Sequence, residues 1–392
     1  MPVQTSPATR PIALASAATR IDSSAIRDLL HVIDRPDVIS LAGGLPAAET
    51  FPAAALAEAF ADVLATDPGA LQYSTTEGYL PLRAWAAERH GVEVERVLVT
   101  HGSQQGLDLV ARALIEPGAT VALADPGYVG AIQALRLAGA RLVSVPSDVD
   151  GLDVEALADR LRRGERPVVV YVVANFNNPT GATLSLERRT ALAGLADRYG
   201  FVIVEDDPYG ELRWRGPSLP SIATFSDRVV TLGTVSKIVC PGLRIGFVVA
   251  PGPLAQALVL VKQAVDLHTS SLSQRAVHRV VTTPGFMAAQ LDRLRPLYRD
   301  RCDALVQALE AELPGRLEFN APAGGMFVWG RFVDAVDTQA LLPRAVQQGM
   351  AYVPGQAFAV DTDHRHALRL SFATVTTAQL SEGVRRLAQA LR

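Results

Sequence analysis

The chain has 392 residues, is 49% hydrophobic and carries a net charge of −3. That is ample for a sizeable core and more than one lobe, and with no basic run or patch it leaves nucleic acid and anionic membranes as poor partners. The two cysteines, Cys240 and Cys302, make neither a disulfide framework nor a metal-ligand pair, and no apolar stretch reads as a signal peptide or a membrane span. A cytoplasmic setting with reduced thiols is expected.

In chain order, residues 23–32 predict a short helix with a serine cap, and residues 38–41 a strand ending in the loop Ala42-Gly43-Gly44-Leu45-Pro46. Residues 54–64 and 80–90 have helical periodicity. From residue 97 the pattern alternates. Strands are predicted at 97–100, 120–124, 141–145, 168–173, 201–205, 229–232 and 244–249, with helices at 104–114, 128–138, 153–163 and 186–199. Several strands are unbroken apolar runs, such as Val168-Val169-Val170-Tyr171-Val172-Val173. Such runs fit strands covered on both faces, hence a mainly parallel sheet between helices. Residues 252–268 read as a helix, and 271–312 as a long helical region broken at Pro284-Gly285. Short strands at 317–319, 326–329, 351–353 and 368–372, with helices at 339–348 and 377–391, make a smaller α+β lobe. The expected division is an arm with part of the small domain at 1–50, a large domain at 51–285 and a C-terminal small domain at 286–392.

Two lysines, Lys237 and Lys262, stand against thirty-five arginines. Lys237 lies in Gly233-Thr234-Val235-Ser236-Lys237, shortly before Arg244. A lysine amine can lose its proton when desolvated and then form an imine with an aldehyde, which arginine cannot do. Thr234 and Ser236 offer hydroxyls and Arg244 a planar fork, groups that suit a phosphate. An imine-forming lysine beside a phosphate cradle suggests pyridoxal 5′-phosphate (PLP).

Other segments point the same way, each weakly by itself. Gly102-Ser103-Gln104-Gln105-Gly106 lies where a strand turns into a helix, a ready phosphate seat, although many such turns are only caps. Asn178, in Asn177-Asn178-Pro179-Thr180-Gly181, can present its amide at the carboxyl end of a strand, or can simply belong to a turn. Glu205-Asp206-Asp207-Pro208-Tyr209 follows a strand. A carboxylate there can keep a pyridine nitrogen protonated, and the spacing leaves Asp206 and Asp207 both open for that task. Arg369 is a charge inside the apolar strand Leu368-Arg369-Leu370, either a carboxylate binder or half of a structural ion pair. His101 reads as a strand-end residue, and His268, His278, His364 and His366 show no metal-ligand spacing, so no metal is expected. Lys262 reads as a solvated helical charge, and residues 326–329 as a core strand.

Taken in order, GSQQ, PGY, NPTG, EDDPY, SK-x6-R and LRLS resemble the class I/II aminotransferases of PLP fold type I. The runs SLAGGLP, LQYSTTEGYLPLR, VEDDPYGEL and GLRIGFVVAP are similar to the 2-aminoadipate and kynurenine aminotransferase subgroup. The resemblance covers residues 18–392. It implies that Lys237 bonds to PLP and moves the reacting proton, that Asp206 pairs with the ring nitrogen, and that Asn178 and Tyr209 bind the phenolic oxygen. It further implies that Tyr128 stacks on the ring, and that Ser103, Gln104, Ser236 and Arg244 hold the phosphate with Tyr73 of a second subunit. Arg369 and Asn178 would bind the substrate carboxylate, Gly43 and Gly44 would line its pocket, and Arg20 would meet its side chain. The implied activity is ping-pong transfer of an amine from an L-amino acid to a 2-oxo acid, in a homodimer with shared sites. Elimination, decarboxylation or oxidation on the same cofactor is the alternative. Two positions depart from the family pattern: Val235 replaces an aromatic, and Asn177 stands where relatives often have glutamine. A transcriptional sensor with an aminotransferase-like domain is disfavoured, since only about twenty residues precede the resemblance.

Overall fold

The computed structural model describes residues 12–20 and 35–392. The helix expected at 23–32 lies outside them. The first elements are a two-residue strand β1 (Ile39–Ser40) and the helices α1 (Ala53–Thr66) and α2 (Leu80–His90). Alternation follows: β2 (Val97–His101), α3 (Gly102–Leu114), β3 (Thr120–Asp125), α4 (Val129–Leu137), β4 (Arg141–Asp148), β5 (Gly151–Leu152) and α5 (Val154–Arg162). Then come β6 (Val169–Val173), α6 (Leu186–Tyr199), β7 (Val202–Asp206), β8 (Val229–Thr234) and β9 (Ile245–Val249). Three helices succeed one another, α7 (Gly252–Asp266), α8 (Ser271–Thr282) and α9 (Phe286–Glu312). The last part holds β10 (Leu317–Phe319), β11 (Phe327–Phe332), α10 (Thr338–Gln347), β12 (Met350–Ala351), β13 (Val353–Pro354), β14 (Ala367–Ser371) and α11 (Thr377–Ala390).

Eight strands form one sheet in the order β2-β9-β8-β7-β6-β3-β4-β5. Neighbours from β8 through β4 pair in parallel, while β9 runs against both β8 and β2, and the hairpin strand β5 runs against β4. The mixed α/β architecture is as the apolar runs predict. Within β6, Val169, Tyr171 and Val173 join one core cluster and Val170 and Val172 the other, so the period-two alternation of a strand is used to bury both faces. Helix starts are capped where the sequence signals them: Asp153 accepts from Ala156 N, Ser185 from Arg188 N, and Thr376 and Gln379 form a reciprocal capping box. Gly285 takes a left-handed conformation and separates α8 from α9.

A second sheet has the order β10-β11-β14-β13, all antiparallel. Residues 351–353, expected as a single strand, divide. Ala351 pairs with Ser40 of β1 and Val353 pairs with Arg369 of β14, while Tyr352 between them turns inward to donate to Thr338 O. The N-terminal strand is thereby tied to the C-terminal part of the chain. No helix among the described residues is long and apolar enough to cross a membrane.

Candidate active site

The parallel strands end on one side of the large sheet, and the loops leaving them build a cavity of about 260 Å³. Open parallel sheets place ligands at such carboxyl ends. Residues from widely separated loops converge there: Gly44, Ser103, Tyr128, Asn178, Asp206 and Lys237 all line it. Tyr209, Ser236, Arg244, Gln104 and Arg369 complete the predicted set present in the cavity.

Lys237 follows β8. Its Nζ donates to Gly44 O at 3.0 Å and has no carboxylate within ion-pair distance among the described residues. Burial, helped by the charges of Arg369 and Arg244, pushes its pKa down to about 8. The neutral amine, the state a nucleophile or base requires, is therefore far more accessible near neutral pH than in an ordinary lysine.

Asp206 is the last residue of β7 and faces the cavity. Its Oδ2 accepts from Tyr171 OH at 2.7 Å, while its buried Oδ1 has no partner. Asp207 points the other way, accepting from Asn175 Nδ2 at 2.9 Å and Gly210 N at 2.8 Å. The choice that spacing leaves open between the two acids is a matter of which side of the strand end each occupies. Burial, reinforced by the charge of Asp207, raises Asp206 to about 7. Tyr171 escapes the motif reading. Its only signal is a hydroxyl inside an aliphatic strand.

The first turn of α3 supplies the opposite wall. Gly102 has φ +72°, and a Cβ there would lie 2.5 Å from Arg244 Nη2. A Cβ on Gly246 would lie 2.5 Å from Gly102 C. Both glycines thus let β9 and the guanidinium pack directly under the helix start. Arg244 Nη2 donates to His101 O at 3.3 Å. The helix start, Ser103, Ser236 and Arg244 line one side of the cavity with donors that could hold an anion. Thr234 braces this side: its hydroxyl donates to Ile245 O at 3.0 Å and receives Ser236 N at 3.0 Å. The neighbouring Val235 is buried in the core.

Arg369 sits in the middle of the second sheet and is only 1% exposed. Its Nη1 donates to Asn178 Oδ1 at 2.8 Å and its Nη2 to Ala42 O. Its Nε has no partner, and the guanidinium carbon lies 4.3 Å from the Phe327 ring centroid and 5.0 Å from that of Phe358. Among the described residues no carboxylate pairs with it. A buried guanidinium is costly to leave without an anion. The Asn178–Pro179 bond is cis, and Asn178 is buried beside Tyr209.

Some expected residues lie elsewhere. Gly43 adjoins the cavity but does not line it. Tyr73 is 78% exposed, its ring edge-on to His268 at 5.8 Å, outside the cavity of its own chain. Arg20 closes a short 3₁₀ turn at Ser16–Thr19 and lies against Gly139, so the structure does not bring it to the cavity. Asn177 is buried, with no partner on its Oδ1, and is also outside the lining. Lys262 corrects the expectation of a solvated charge: it is fully buried, with Nζ 2.7 Å from Asp266 Oδ1. Cys302 is a buried free cysteine whose thiol burial pushes up to about 12, the surroundings of an unreactive thiol. Among the described residues no group of three or more His, Cys, Asp or Glu could hold a metal.

The residues fit PLP. The orphaned Asp206 Oδ1 suits a protonated ring nitrogen, the cradle suits a phosphate, and Lys237 suits an aldehyde carbon. The model for aminotransferase class I and II matches residues 36–387. A 2-aminoadipate transaminase of Thermus thermophilus is 43% identical over 97% of this chain and 96% of its own. Aromatic-amino-acid aminotransferase 1 of Thermococcus litoralis is 39% identical over 96% of this chain and 93% of its own. The crystal structure of the α-aminoadipate aminotransferase of Thermus thermophilus, complexed with N-(5′-phosphopyridoxyl)-L-leucine, superposes with a TM-score of 0.90 at 43% identity, covering 96% of this chain and 97% of that one. The chain belongs to the class I and II aminotransferases, enzymes that use PLP to move an amino group from an amino acid to a 2-oxo acid.

Proposed function

We propose that the cavity around Lys237 is the active site, and that the donor is an L-amino acid with a long acidic or aromatic side chain. The donor class rests on the names of the two relatives at 43% and 39% identity. One observation carries the site assignment. Two buried polar atoms without partners, Asp206 Oδ1 and Arg369 Nε, belong to side chains that open on the same cavity as the Lys237 amine.

Bound PLP supplies an aldehyde that bonds amines and a protonated ring that draws electrons from the substrate α-carbon. The chain's own groups do the rest. Arg369 and Asn178 take the substrate α-carboxylate and so fix the α-carbon relative to Lys237. The Lys237 amine, with its pKa lowered by burial and two neighbouring arginines, would serve as the base that holds and moves the α-proton. Asp206 Oδ1 would accept from the ring nitrogen, and that opposite charge would reverse the upward push on its pKa. Tyr209 and Asn178 would donate to the phenolic oxygen, and Tyr128 would pack against the ring. Ser103, Gln104, Ser236 and Arg244 would hold the phosphate.

The protein would act as a cytoplasmic homodimer in which the partner's copy of Tyr73 completes the phosphate site. The exposure of Tyr73 supports this. Residues 51–285 would form the large domain and 286–392 the small one, with the N-terminal arm joined to the latter through the pairing of β1 with β12. A panel of single amino acids, each mixed with enzyme in the absence of a 2-oxo acid, tests the function. Acidic and aromatic donors should yield one 2-oxo acid per site. Release of carbon dioxide or free ammonia instead would overturn the reading.

A further inference from the structure

The second lysine is as buried as the first is enclosed, and it lies outside the catalytic cavity. Lys262, on α7, is 0% exposed. Its Nζ contacts Asp266 Oδ1 at 2.7 Å, Asp266 Oδ2 at 2.9 Å and Gln105 Oε1 at 3.1 Å. Gln105 is held from both ends: its Nε2 donates to Asp266 Oδ2 at 2.7 Å, and its Oε1 also accepts His101 N at 2.8 Å. The His101 ring closes the group, Nδ1 lying 3.2 Å from Asp266 Oδ2. Burial pushes the Lys262 amine down, while Asp266 opposes that push. Such a pair is costly to desolvate, and a surface lysine would avoid the cost altogether.

What the pair grips gives it a purpose. His101 and Gln105 are the residues on either side of Gly102-Ser103-Gln104, the helix start of the phosphate cradle. The His101 carbonyl also accepts Arg244 Nη2 at 3.3 Å. One cluster therefore fixes the backbone entering the cradle, the first turn leaving it, and the carbonyl that aims the cradle's guanidinium. None of its side chains lines the cavity. Just beyond Asp266, His268 stacks edge-on to Tyr73, the group proposed to reach the partner's phosphate.

We propose that Lys262 and Asp266 are positioning residues for cofactor phosphate binding, acting through Gln105 and His101 on the first turn of α3 and on Arg244. This rests on the assignment of that turn as the phosphate seat. The test compares two probes on apoenzyme by equilibrium dialysis: PLP, and pyridoxal, which has the aldehyde and ring but no phosphate. Lys262→Met, close in volume and without charge, should weaken PLP at least tenfold, about 1.4 kcal/mol, while changing pyridoxal affinity less than twofold. Asp266→Ala, at a partly exposed position where folding is less at risk, should give the same selective loss. Equal weakening of both probes, or no weakening of PLP by either variant, would overturn the proposal. If Ser103→Ala and Arg244→Gln also leave the preference for PLP over pyridoxal unchanged, the phosphate seat itself is misassigned. A loss in those variants with none in Lys262→Met refutes the positioning role alone.

Discussion

Replacing Lys237 with methionine should stabilise the apoenzyme, and the gain should depend on pH. The wild-type amine titrates near 8 in the folded chain, against the ordinary value of 10.5. Between those values the unfolded chain binds more protons than the folded one, so stability rises with pH across the window from 8 to 10.5. Below 8 both states are protonated and the full penalty of the buried charge persists. A shift of this size corresponds to about 3 kcal/mol at pH 7 and about 1.4 kcal/mol at pH 9.5. Methionine also forfeits the bond to Gly44 O, about 1 kcal/mol. The net gain is then about 2 kcal/mol at pH 7 and close to zero at pH 9.5. Urea unfolding of both apo proteins at fixed concentration, at the two pH values, measures the difference. A destabilised variant at pH 7, or a gain independent of pH, would refute the desolvated amine.

Arg369→Gln should lower kcat/KM for amino acids by about a thousandfold, the loss of a buried two-pronged ionic contact, and abolish discrimination against the matching amine that lacks a carboxylate. Steady-state kinetics with both substrates check this. Asp206→Asn should keep PLP attached and reduce kcat by at least about a hundredfold, because a neutral amide does not hold the ring nitrogen protonated; cofactor absorbance and kcat on the same sample decide it. Mixing Tyr73→Ala with Lys237→Ala, each inactive alone, should restore about a quarter of wild-type activity through hybrid dimers with one intact site. No recovery from two inactive parents would place Tyr73 in its own chain's site, and a fully active Tyr73→Ala would place it outside any site.

The strands were legible because their residues face a core on both sides, as in Val169–Val173, and the cradle because a glycine-rich turn joins a strand to a helix. Adjacent acids were not separable, since pleating sends Asp206 and Asp207 to opposite sides, and a linear reading does not say which side holds the cavity. Lys262 was misread although its pattern was visible. Ala255, Leu258 and Lys262 share the buried face of α7, and Asp266 follows one turn later, the spacing of an internal partner. The division of residues 351–353 between two sheets depends on long-range pairing and has no local signal. Tyr73 carries none either, because its expected site belongs to another chain.

With only two lysines in the chain, the central claim reduces to a binary measurement. Borohydride reduction of the PLP-loaded enzyme, followed by digestion and mass spectrometry, should place a single pyridoxyl-phosphate mass on the peptide containing Lys237. Label on Lys262 or the N-terminal amine, with Lys237 unmodified, would contradict the account.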